Sequence, residues 1–445
     1  MSQARQLHAV AALVGALCIA TPGVPAVSAD ITPGGDLRAA IAALKPGEEL
    51  RLGGGTYTNS SAFRITVSGT ASQPIVIRSK DGEHAIIQQT NFGQNNVEIQ
   101  GSNLVIRGIE FTGGSHGIRL MDSDFVTIED CEVHDTGDVA ISANSGGTYE
   151  GLKLLRNHIH HTNGTGEGMY LGCNSDACRV ANSLIEGNYI HHTNGPGVEQ
   201  GDGIEIKEGS YGNTVRDNVI HDTNYPGIIT YSTVGNGPAN IIEGNVIWNT
   251  NDNAIQSAAD VIIRNNIVLD STIAFQAHQA GSPGNIQLLH NTILTTSNAV
   301  EVRDVVGSVV IANNAIYSQG GSAIRLISGD LSKVTLAGNV GQGGLQGASS
   351  GYRNGNGVGA DFVNGHFGDP PIDVFPRAGS ALIGAASSAW TTTVDFNGTS
   401  RAGSADVGAY RFNAAGNPGW KVSAGFKQVG SSVVRPMPPT DLTVR

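Results

Sequence analysis

A short stretch of this 445-residue sequence concentrates charged side chains that could bind a hard cation. It reads Asp202-Gly-Ile-Glu205-Ile-Lys207. Its alternation of polar and apolar residues predicts a β-strand, and because successive side chains of a strand point to opposite faces, Glu205 and Lys207 share one face. Carboxylates supply the oxygen ligands that a hard cation prefers. This segment is therefore the most concentrated group of candidate functional side chains in the sequence, with an amine beside carboxylates that could bind a cation.

A second acidic residue takes the same position one repeat earlier. Glu167 and Asp202 each stand just before a predicted strand, so their carboxylates are expected to lie one strand spacing, about 4.8 Å, apart. Carboxylates that close repel each other unless a cation lies between them, and Ca²⁺ would relieve the repulsion. The competing interpretation is that these acidic residues serve turn conformations and that Lys207 is a solvated surface side chain.

These residues belong to a sequence repeat that determines where they lie. A short apolar strand, a polar turn residue, another apolar pair and a Gly-Ile or Ala-Ile step recur ten times, at intervals of 21 to 31 residues. Repeats of this length, built from short β-branched segments between Gly and Asn, are typical of a stacked solenoid. The shared register position is held by Ile109, Cys131, Asn157, Asn188, Asn218, Asn245, Asn266, Asn291, Asn314 and Asn339.

The repeat and the composition together predict an all-β protein, a single-stranded right-handed parallel β-helix. Eight of the ten register positions are Asn, whose amide can donate to and accept from the Asn of the neighbouring coil. The chain has 61 Gly and only 5% aromatic residues, which suits tightly turning coils filled by small aliphatic side chains.

Both ends of such a solenoid need covers, because terminal coils expose unpaired strand edges. An amphipathic helix from Asp36 to Lys45 is predicted to cap the first coil. Residues 1–29 have the features of a removable signal peptide, so we expect a secreted or periplasmic protein with no membrane span. The β-helix domain with its caps is predicted to fill residues 30–412, and residues 413–445 are predicted to form an extended tail rich in Gly, Ser and Pro.

The cysteines suit an oxidising compartment. Cys173 and Cys178 enclose four residues, a separation that favours one disulfide-closed loop over two free thiols. Cys131 holds the register position that later coils give to Asn, and we predict a buried structural thiol there.

Outward residues of the strand after each Gly-Ile or Ala-Ile step are predicted to form two columns along one parallel sheet. The first column reads Arg119, Ser142, Tyr170, Glu205, Ile229, Gln256, Gln276, Glu301 and Arg325. The second reads Met121, Asn144, Gly172, Lys207, Tyr231, Ala258, His278, Arg303 and Ile327. Polar columns of this kind make a groove suited to an extended polymer. The net charge of −12 gives no support for a nucleic-acid partner. We expect the protein to be a monomer.

The run from Asp202 to Lys207 is followed by Gly212-Asn-Thr-Val-Arg-Asp-Asn218. Together these residues resemble the strand that bears the catalytic lysine in β-helical polysaccharide lyases of the pectate-lyase and alginate-lyase/chondroitinase type. The phrases Gly53 to Tyr57 and Val67 to Arg78 resemble the start of the same proteins. The resemblance extends from Asp30 to Asn339.

This resemblance implies a lyase that cleaves a uronate-containing polysaccharide by β-elimination, which needs a cation on the substrate carboxylate and a base near the carbon. It implies calcium held by Glu167, Asp202 and Glu205. Lys207 would be the base and Tyr231 would protonate the leaving oxygen. Family members that pair the lysine with an arginine place the arginine about one coil later, where this chain has Tyr231. The substrate-binding residues expected along the groove are Tyr170, Gln256, His278 and Arg303.

Other functions are compatible with the same groove. A non-catalytic carbohydrate-binding envelope protein needs no base. A uronate epimerase shares the proton abstraction, although the Asp-Pro-His-Asp phrase of those enzymes is missing. A glycoside hydrolase of the polygalacturonase kind needs paired acid and base carboxylates, and its Gly-His-Gly and Arg-Ile-Lys phrases are absent.

One histidine recurs at the same position of four consecutive coils. A metal-binding or proton-transfer face is one interpretation of this column. Apolar and aromatic residues continue the column in later coils, so we predict a structural stack. The column reads His134, His160, His191, His221, Trp248, Leu269, Leu294 and Tyr317.

Overall fold

The computed structural model of the protein describes residues 26–428. Three long parallel sheets run along the molecule, and each coil of the chain adds one strand to each sheet in turn. The predicted parallel β-helix is therefore confirmed. We refer to the three sheets as the first sheet, the second sheet and the cleft sheet.

The strands are short, and their bounds follow sheet by sheet. The first sheet comprises Ala26–Ile31, Glu48–Leu52, Ile75–Ser79, Leu104–Arg107, Thr127–Glu129, Lys153–Leu155, Leu184–Glu186, Thr214–Arg216, Asn240–Glu243, Val261–Arg264, Ile286–Leu289, Val309–Ala312 and Val334–Ala337. The second sheet comprises Gly55–Asn59, Ala85–Gln89, Ile109–Gly113, Glu132–His134, His158–His160, Tyr189–Thr193, Val219–Thr223, Val246–Thr250, Ile267–Leu269, Thr292–Thr295, Ala315–Ser318, Asn339–Gln342 and Tyr352–Asn354. The cleft sheet comprises Arg64–Ile65, Val97–Ile99, Ile118–Leu120, Ile141–Ala143, Met169–Leu171, Ile204–Ile206, Ile228–Thr230, Ile255–Ser257, Ile273–Phe275, Val300–Val302, Ile324–Leu326 and Leu345–Gln346. Two small sheets pair Gly147–Glu150 with Cys178–Ala181 and Phe362–Asn364 with Asp373–Pro376.

The corner between the first and second sheets is built by the predicted asparagine ladder. The Nδ2 group of each ladder Asn donates to Oδ1 of the Asn in the next coil, at 2.9 to 3.0 Å from Asn157 through to Asn339. The residue just before the ladder adopts a left-handed backbone conformation, with φ of 54° at Asp130, 66° at Gly187 and 60° at Asn313. Gly, Asn and Asp reach this conformation with least strain, which explains their frequency at the corner.

The interior is a stack of aliphatic side chains in register. Ile141, Met169, Ile204 and Ile228 are successive neighbours on the cleft sheet, and each is fully buried. Because the inward positions are committed to this packing, polar chemistry must lie on the outer faces and in the turns.

The cysteines behave as the spacing predicts. Cys173 and Cys178 form a disulfide, which closes the loop that holds the short 3₁₀ turn Asn174–Asp176. Cys131 is a buried free thiol, and burial raises its pKa to about 12, so it remains protonated.

The N-terminal helix is present and shorter than predicted. Helix α1 spans Leu37–Ala42, and the Asp36 side chain accepts a hydrogen bond from the Ala39 backbone N–H at 2.9 Å. Leu37, Ile41 and Leu44 are buried and join the main hydrophobic core, so the helix covers the core at this end.

The C-terminal part of the chain leaves the solenoid and folds back over the second sheet. It contains helix α2 (Val358–Asp361) and the 3₁₀ turn Ser388–Trp390. Another 3₁₀ turn, Leu331–Lys333, lies just before the strand Val334–Ala337 of the first sheet. Phe362, Phe375 and Tyr410 bury the outer face of the second sheet in a second hydrophobic core. The outer residues that they help to cover are Trp248, Leu269, Leu294 and Tyr317.

The predicted extended tail differs from the structure where the structure describes it. Of residues 413–445, those up to 428 are described, and Val422 and Lys427 are buried there. Lys427 Nζ donates to Asp217 Oδ1 at 2.5 Å and to the Gly244 carbonyl at 2.9 Å. The segment is held against the solenoid because it contributes apolar residues and a cation that find partners there.

The remaining predictions about the chain ends fall mostly outside the described residues. Of the predicted signal peptide, residues 26–29 are described, and they begin the first strand, Ala26–Ile31. Residues 429–445 of the predicted tail are outside the described range. Within residues 26–428, every helix is too short or too polar to cross a membrane.

Candidate active site

A cleft of about 550 Å³ opens on the outer face of the cleft sheet. The carboxylates predicted to bind a cation, Glu167, Asp202 and Glu205, line its centre together with Lys207 and Tyr231. The predicted base, proton donor and metal ligands, which the sequence separates by up to 64 positions, are thus brought together by the stacking of three consecutive coils.

The three carboxylates form one buried cluster. Glu167 and Asp202 stand two residues before the strands Met169–Leu171 and Ile204–Ile206, which are neighbours in the sheet, and Glu205 projects from the second of these strands. Each residue offers one oxygen, and these oxygens all lie within 4.8 Å of one another. Because no more than 2% of any of these residues is exposed, water can do little to screen their charges.

Each carboxylate of the cluster keeps one oxygen without a hydrogen bond from the residues that the structure describes. These atoms are Glu167 Oε1, Asp202 Oδ1 and Glu205 Oε2. Burial raises the pKa of Glu167 to about 7, and burial together with the charges of Glu205 and Glu167 raises the pKa of Asp202 well above its usual range. Buried oxygens without donors favour the binding of a cation, and an all-oxygen donor set suits Ca²⁺.

A hydroxyl group links this cluster to a fourth carboxylate. Thr165 Oγ1 lies 2.7 Å from Glu167 Oε2 and 2.5 Å from Asp138 Oδ1. A hydroxyl has one hydrogen, so Thr165 can donate it fully to only one of these two carboxyl groups. The raised pKa of Glu167 is consistent with a proton on that residue when no cation is bound.

Lys207 lies on the floor of the cleft between two aromatic rings. Its Nζ donates to Glu205 Oε1 at 2.7 Å and to Tyr231 Oη at 3.4 Å. The same nitrogen stands 4.5 Å from the centre of the Tyr231 ring and 5.2 Å from that of Tyr170. The residue is only 4% exposed, so the sequence interpretation of a solvated surface lysine is wrong.

Both tyrosines that flank Lys207 have a raised pKa. Tyr231 Oη donates to Glu205 Oε1 at 3.0 Å, and burial together with the Glu205 charge raises the pKa of Tyr231. Tyr170 Oη donates to Asn174 Oδ1 at 3.3 Å, and burial and Glu205 likewise raise its pKa. Both hydroxyl groups are therefore available as proton donors at neutral pH.

The predicted columns need a correction after Gln256. Ile273, and not Phe275, pairs with Ile255, so Ala274 occupies the first column in place of Gln276. The same two-residue shift places Gln276, and not His278, in the second column of this coil. The error arose because Ile273 and Phe275 both point inward, and a slip of two residues leaves the alternation of faces unchanged.

Three of the predicted substrate-binding residues reach the cleft and one does not. Tyr170, Gln256 and His278 line it, and the His278 ring packs edge-on against Tyr231 with centroids 5.0 Å apart. Burial, together with the charge of Lys207, lowers the pKa of His278, which favours a neutral ring. Arg303 lies outside the cleft lining, and its guanidinium is occupied by an ion pair with Glu301.

Sequence reasoning missed part of the cleft wall. His116 and Asp138 line the cleft next to Glu167, and His116 Nδ1 lies 2.9 Å from Ser142 Oγ. The position of His116 could have been found, because it stands two residues before its strand, as Glu167 and Asp202 do. Asp138 left no such signal, since it lies in a turn whose geometry the repeat does not define.

The histidine column lies on the second sheet and stacks as predicted. Ring centroids are 4.9 Å apart for His134 and His160, 5.2 Å for His160 and His191, and 5.1 Å for His191 and His221. Trp248 continues the stack at 4.3 Å. The rings replace the aliphatic packing that later coils use at this position.

Two family models match consecutive parts of the chain. A model described as a Pel9A-like right-handed β-helix region matches residues 26–176, and a model of the right-handed β-helix region matches residues 168–304. The chain is a right-handed β-helix protein. The handedness predicted from the sequence is thereby confirmed, as is the likeness to β-helical lyases at the level of fold.

Solved structures resemble this β-helix protein over most of its length. Pectate lyase Pel9A is 16% identical, with a TM-score of 0.52 over 88% of this chain and 97% of that protein. XylC in complex with xylose is 10% identical, with a TM-score of 0.58 over 85% and 95% of the two chains. An alginate lyase from Paenibacillus sp. str. FPU-7 is 25% identical, with a TM-score of 0.47 over 58% and 98%. A comparison with curated proteins found no match. The likenesses to Pel9A and XylC show the fold of the β-helix protein, and its activity has to be argued from the cleft.

Proposed function

We propose that the protein is a polysaccharide lyase that cleaves a uronate-containing polymer by β-elimination. The observation that carries this proposal is the meeting of three buried, incompletely bonded carboxylates with a buried amine between two tyrosine rings. β-Elimination requires neutralisation of the substrate carboxylate, removal of the neighbouring proton and protonation of the leaving oxygen. The cleft offers groups for each of these tasks.

Glu167, Asp202 and Glu205 are the residues that would hold calcium. Bound there, the ion would neutralise the substrate carboxylate and so make the proton on the adjacent carbon more acidic. The fit rests on two observations: one oxygen from each carboxylate lies within 4.8 Å of the others, and each carboxylate keeps one oxygen without a donor within residues 26–428.

Lys207 is proposed as the base. The aromatic faces of Tyr170 and Tyr231 shield its amine from water, so a proton moved from the sugar carbon would pass to nitrogen and not to solvent. An amine accepts a proton only in its uncharged form. Glu205, which accepts a hydrogen bond from this nitrogen, positions it at the cation cluster.

Tyr231 is proposed to protonate the leaving oxygen, with Tyr170 as the competing donor. The Tyr231 hydroxyl is enclosed with Lys207 and Glu205, whereas the Tyr170 hydroxyl is bonded to Asn174 at the more open side of the cleft. Replacing the donor by Phe should lower kcat by at least tenfold with little change in KM. We expect this effect for Tyr231→Phe, and a larger loss of kcat in Tyr170→Phe would reassign the role.

The decisive experiment measures the absorbance of unsaturated uronate products. The protein is incubated with polygalacturonate, alginate and glycosaminoglycans, with calcium or with a chelator. We expect ultraviolet absorbance to grow with one of these polymers, to stop with chelator, and to be lost in Lys207→Ala. Lys153→Ala, which changes an exposed lysine on the first sheet, is the matched control and should remain active.

The same experiment separates the alternatives. A glycoside hydrolase is the second candidate, because the raised pKa of Glu167, about 7, suits a general acid and other carboxylates lie beside it. Hydrolysis would release reducing ends without new absorbance. An epimerase would change polymer composition without cleavage, and binding without any chemical change would indicate the non-catalytic carbohydrate-binding protein.

Export is proposed as part of this function. A polymer-degrading enzyme must meet a substrate that does not enter the cell, and the Cys173–Cys178 disulfide is typical of proteins that fold in an oxidising compartment.

A further inference from the structure

One arginine on the cleft sheet lacks the partner that its neighbours have. Arg64, Glu98, Arg119 and Ser142 are successive register neighbours in the first column of outward residues. Arg64 forms an ion pair with Glu98 at 2.6 Å. Arg119 has neither a hydrogen bond nor an ion pair with any residue in the described range 26–428, and its Nε atom is buried.

Arg119 lies outside the residues that line the cleft, and the first column leads from it along the sheet to the proposed reaction centre. From Arg119 the register passes through Ser142 and Tyr170 to Glu205. The separation is three strand spacings, roughly 14 Å. Ser142 forms no hydrogen bond with Arg119, and its hydroxyl oxygen lies 2.9 Å from His116 Nδ1.

A second unsatisfied polar atom lies between Arg119 and Lys207. Asn144 lines the cleft in the coil after Arg119, and its Oδ1 is buried without a hydrogen-bond donor among residues 26–428. A buried guanidinium nitrogen and a buried amide oxygen without partners each cost free energy, which a ligand that pairs with both would recover. At the opposite end of the column, Arg303 and Arg325 both pair with Glu301.

We propose that Arg119 and Asn144 form a distal subsite for a uronate unit of the substrate. The guanidinium fork matches the geometry of a sugar carboxylate, and the Asn144 carbonyl oxygen can accept a hydrogen bond from a sugar hydroxyl. A 1,4-linked pyranose advances a polymer by about one strand spacing, so the bound unit lies some three sugars from the one beside Lys207. This inference rests on the proposed lyase function and adds the direction in which the substrate lies, toward the N-terminal coils.

The length of the substrate provides the test. A trisaccharide whose reacting sugar lies beside Lys207 ends short of the Arg119 coil, whereas a hexasaccharide reaches it. Arg119→Ala should lower kcat/KM on the hexasaccharide by ten- to a hundredfold and on the trisaccharide by less than twofold. Arg119→Lys, which keeps the charge without the fork, should lose less. Equal losses on both substrates would overturn the subsite.

A binding measurement keeps this result separate from the lyase proposal. Calorimetry with the hexasaccharide, in Lys207→Ala protein to prevent turnover, should show at least tenfold weaker binding after the additional change Arg119→Ala. The matched control is Arg216→Ala, which removes a partly exposed arginine paired with Glu186 on the first sheet and should change affinity by less than twofold. If neither double variant differs from Lys207→Ala, the subsite is excluded even where the protein is a lyase. If binding weakens as expected but no uronate polymer is cleaved, the subsite stands and the lyase proposal fails.

Discussion

At the scale of single residues, charge balance is the central property of the cleft. The Lys207 amine lies beside a cluster of three carboxylates, and it shares Glu205 Oε1 with the Tyr231 hydroxyl. Thr165 cannot donate to Glu167 and Asp138 at once. The excess negative charge must therefore be compensated by a bound proton or by a cation, and the two compete for the same oxygens.

The competition predicts how the stability of the calcium-free protein depends on pH. The pKa of Glu167 is raised by burial from 4.5 to about 7, so its proton stabilises the folded state fully below pH 4.5, and that stabilisation is lost as pH rises through 7. The loss is of order 3 kcal/mol. Thermal unfolding in chelator should show a falling melting temperature between pH 5 and 8.

Two variants test the cause of this pH dependence. Glu167→Gln should flatten the slope and raise the melting temperature above pH 7, because the amide never ionises. Asp122→Asn, a change of an exposed acid, should leave the slope intact. A steep slope that persists in Glu167→Gln would assign the effect to other groups, with Asp202 the first to examine.

At the scale of elements, the asparagine ladder ties each coil to the next. Asn245 Oδ1 accepts from the backbone N–H of Asn218 at 3.0 Å and from its Nδ2 at 2.9 Å. Its own Nδ2 donates to the Val215 carbonyl and to Asn266 Oδ1. One side chain thus satisfies buried groups of two neighbouring coils, and the ladder fixes the coil spacing that brings Glu167 and Asp202 together.

Replacing one asparagine of the ladder should lower the stability of the protein. Asn245→Ala leaves a buried N–H, a buried carbonyl and two side-chain amides with fewer partners, so we expect a loss of about 3 to 5 kcal/mol in the free energy of unfolding. Denaturant unfolding followed by circular dichroism measures this loss. Asn251→Ala, an exposed asparagine one strand away, should change stability by less than about 0.5 kcal/mol. Similar effects of the two substitutions would show that the ladder is not the main tie between coils.

The elements also show what periodicity can and cannot predict. The ladder, the three-sheet coil and the meeting of Glu167, Asp202 and Lys207 follow from residues that recur at fixed positions of each coil. The register slip at Ile273 occurred because two alternating inward residues give the same pattern when shifted by two. The burial of Lys207 was not predictable, because it depends on Tyr170 and Tyr231, which come from the coils before and after it.

At the scale of the whole molecule, the C-terminal part covers a face that the coils leave apolar. The outer residues Trp248, Leu269 and Tyr317 would be exposed on a bare solenoid, and aperiodic residues from Val358 onward bury them. The sequence indicated the apolar column but not its cover, because the covering residues follow no repeat. The second sheet is thus covered within residues 26–428, whereas the outer face of the cleft sheet carries the open cleft.

This arrangement predicts unequal effects of two truncations. A chain that ends at Gln428 keeps Val422 and Lys427, whereas a chain that ends at Phe412 loses both residues. The shorter chain also loses the ion pair between Lys427 and Asp217. It further loses the packing of Phe426 on Tyr189 and His158. Loss of a buried aliphatic residue, an aromatic contact and a buried ion pair should lower the free energy of unfolding by several kcal/mol. We therefore expect the shorter chain to melt at least 5 °C below the longer one and to bind more of a dye for exposed apolar surface. Equal melting temperatures would show that residues 413–428 add nothing to stability, and the predicted extended tail would then describe their energetic role better than the packing does.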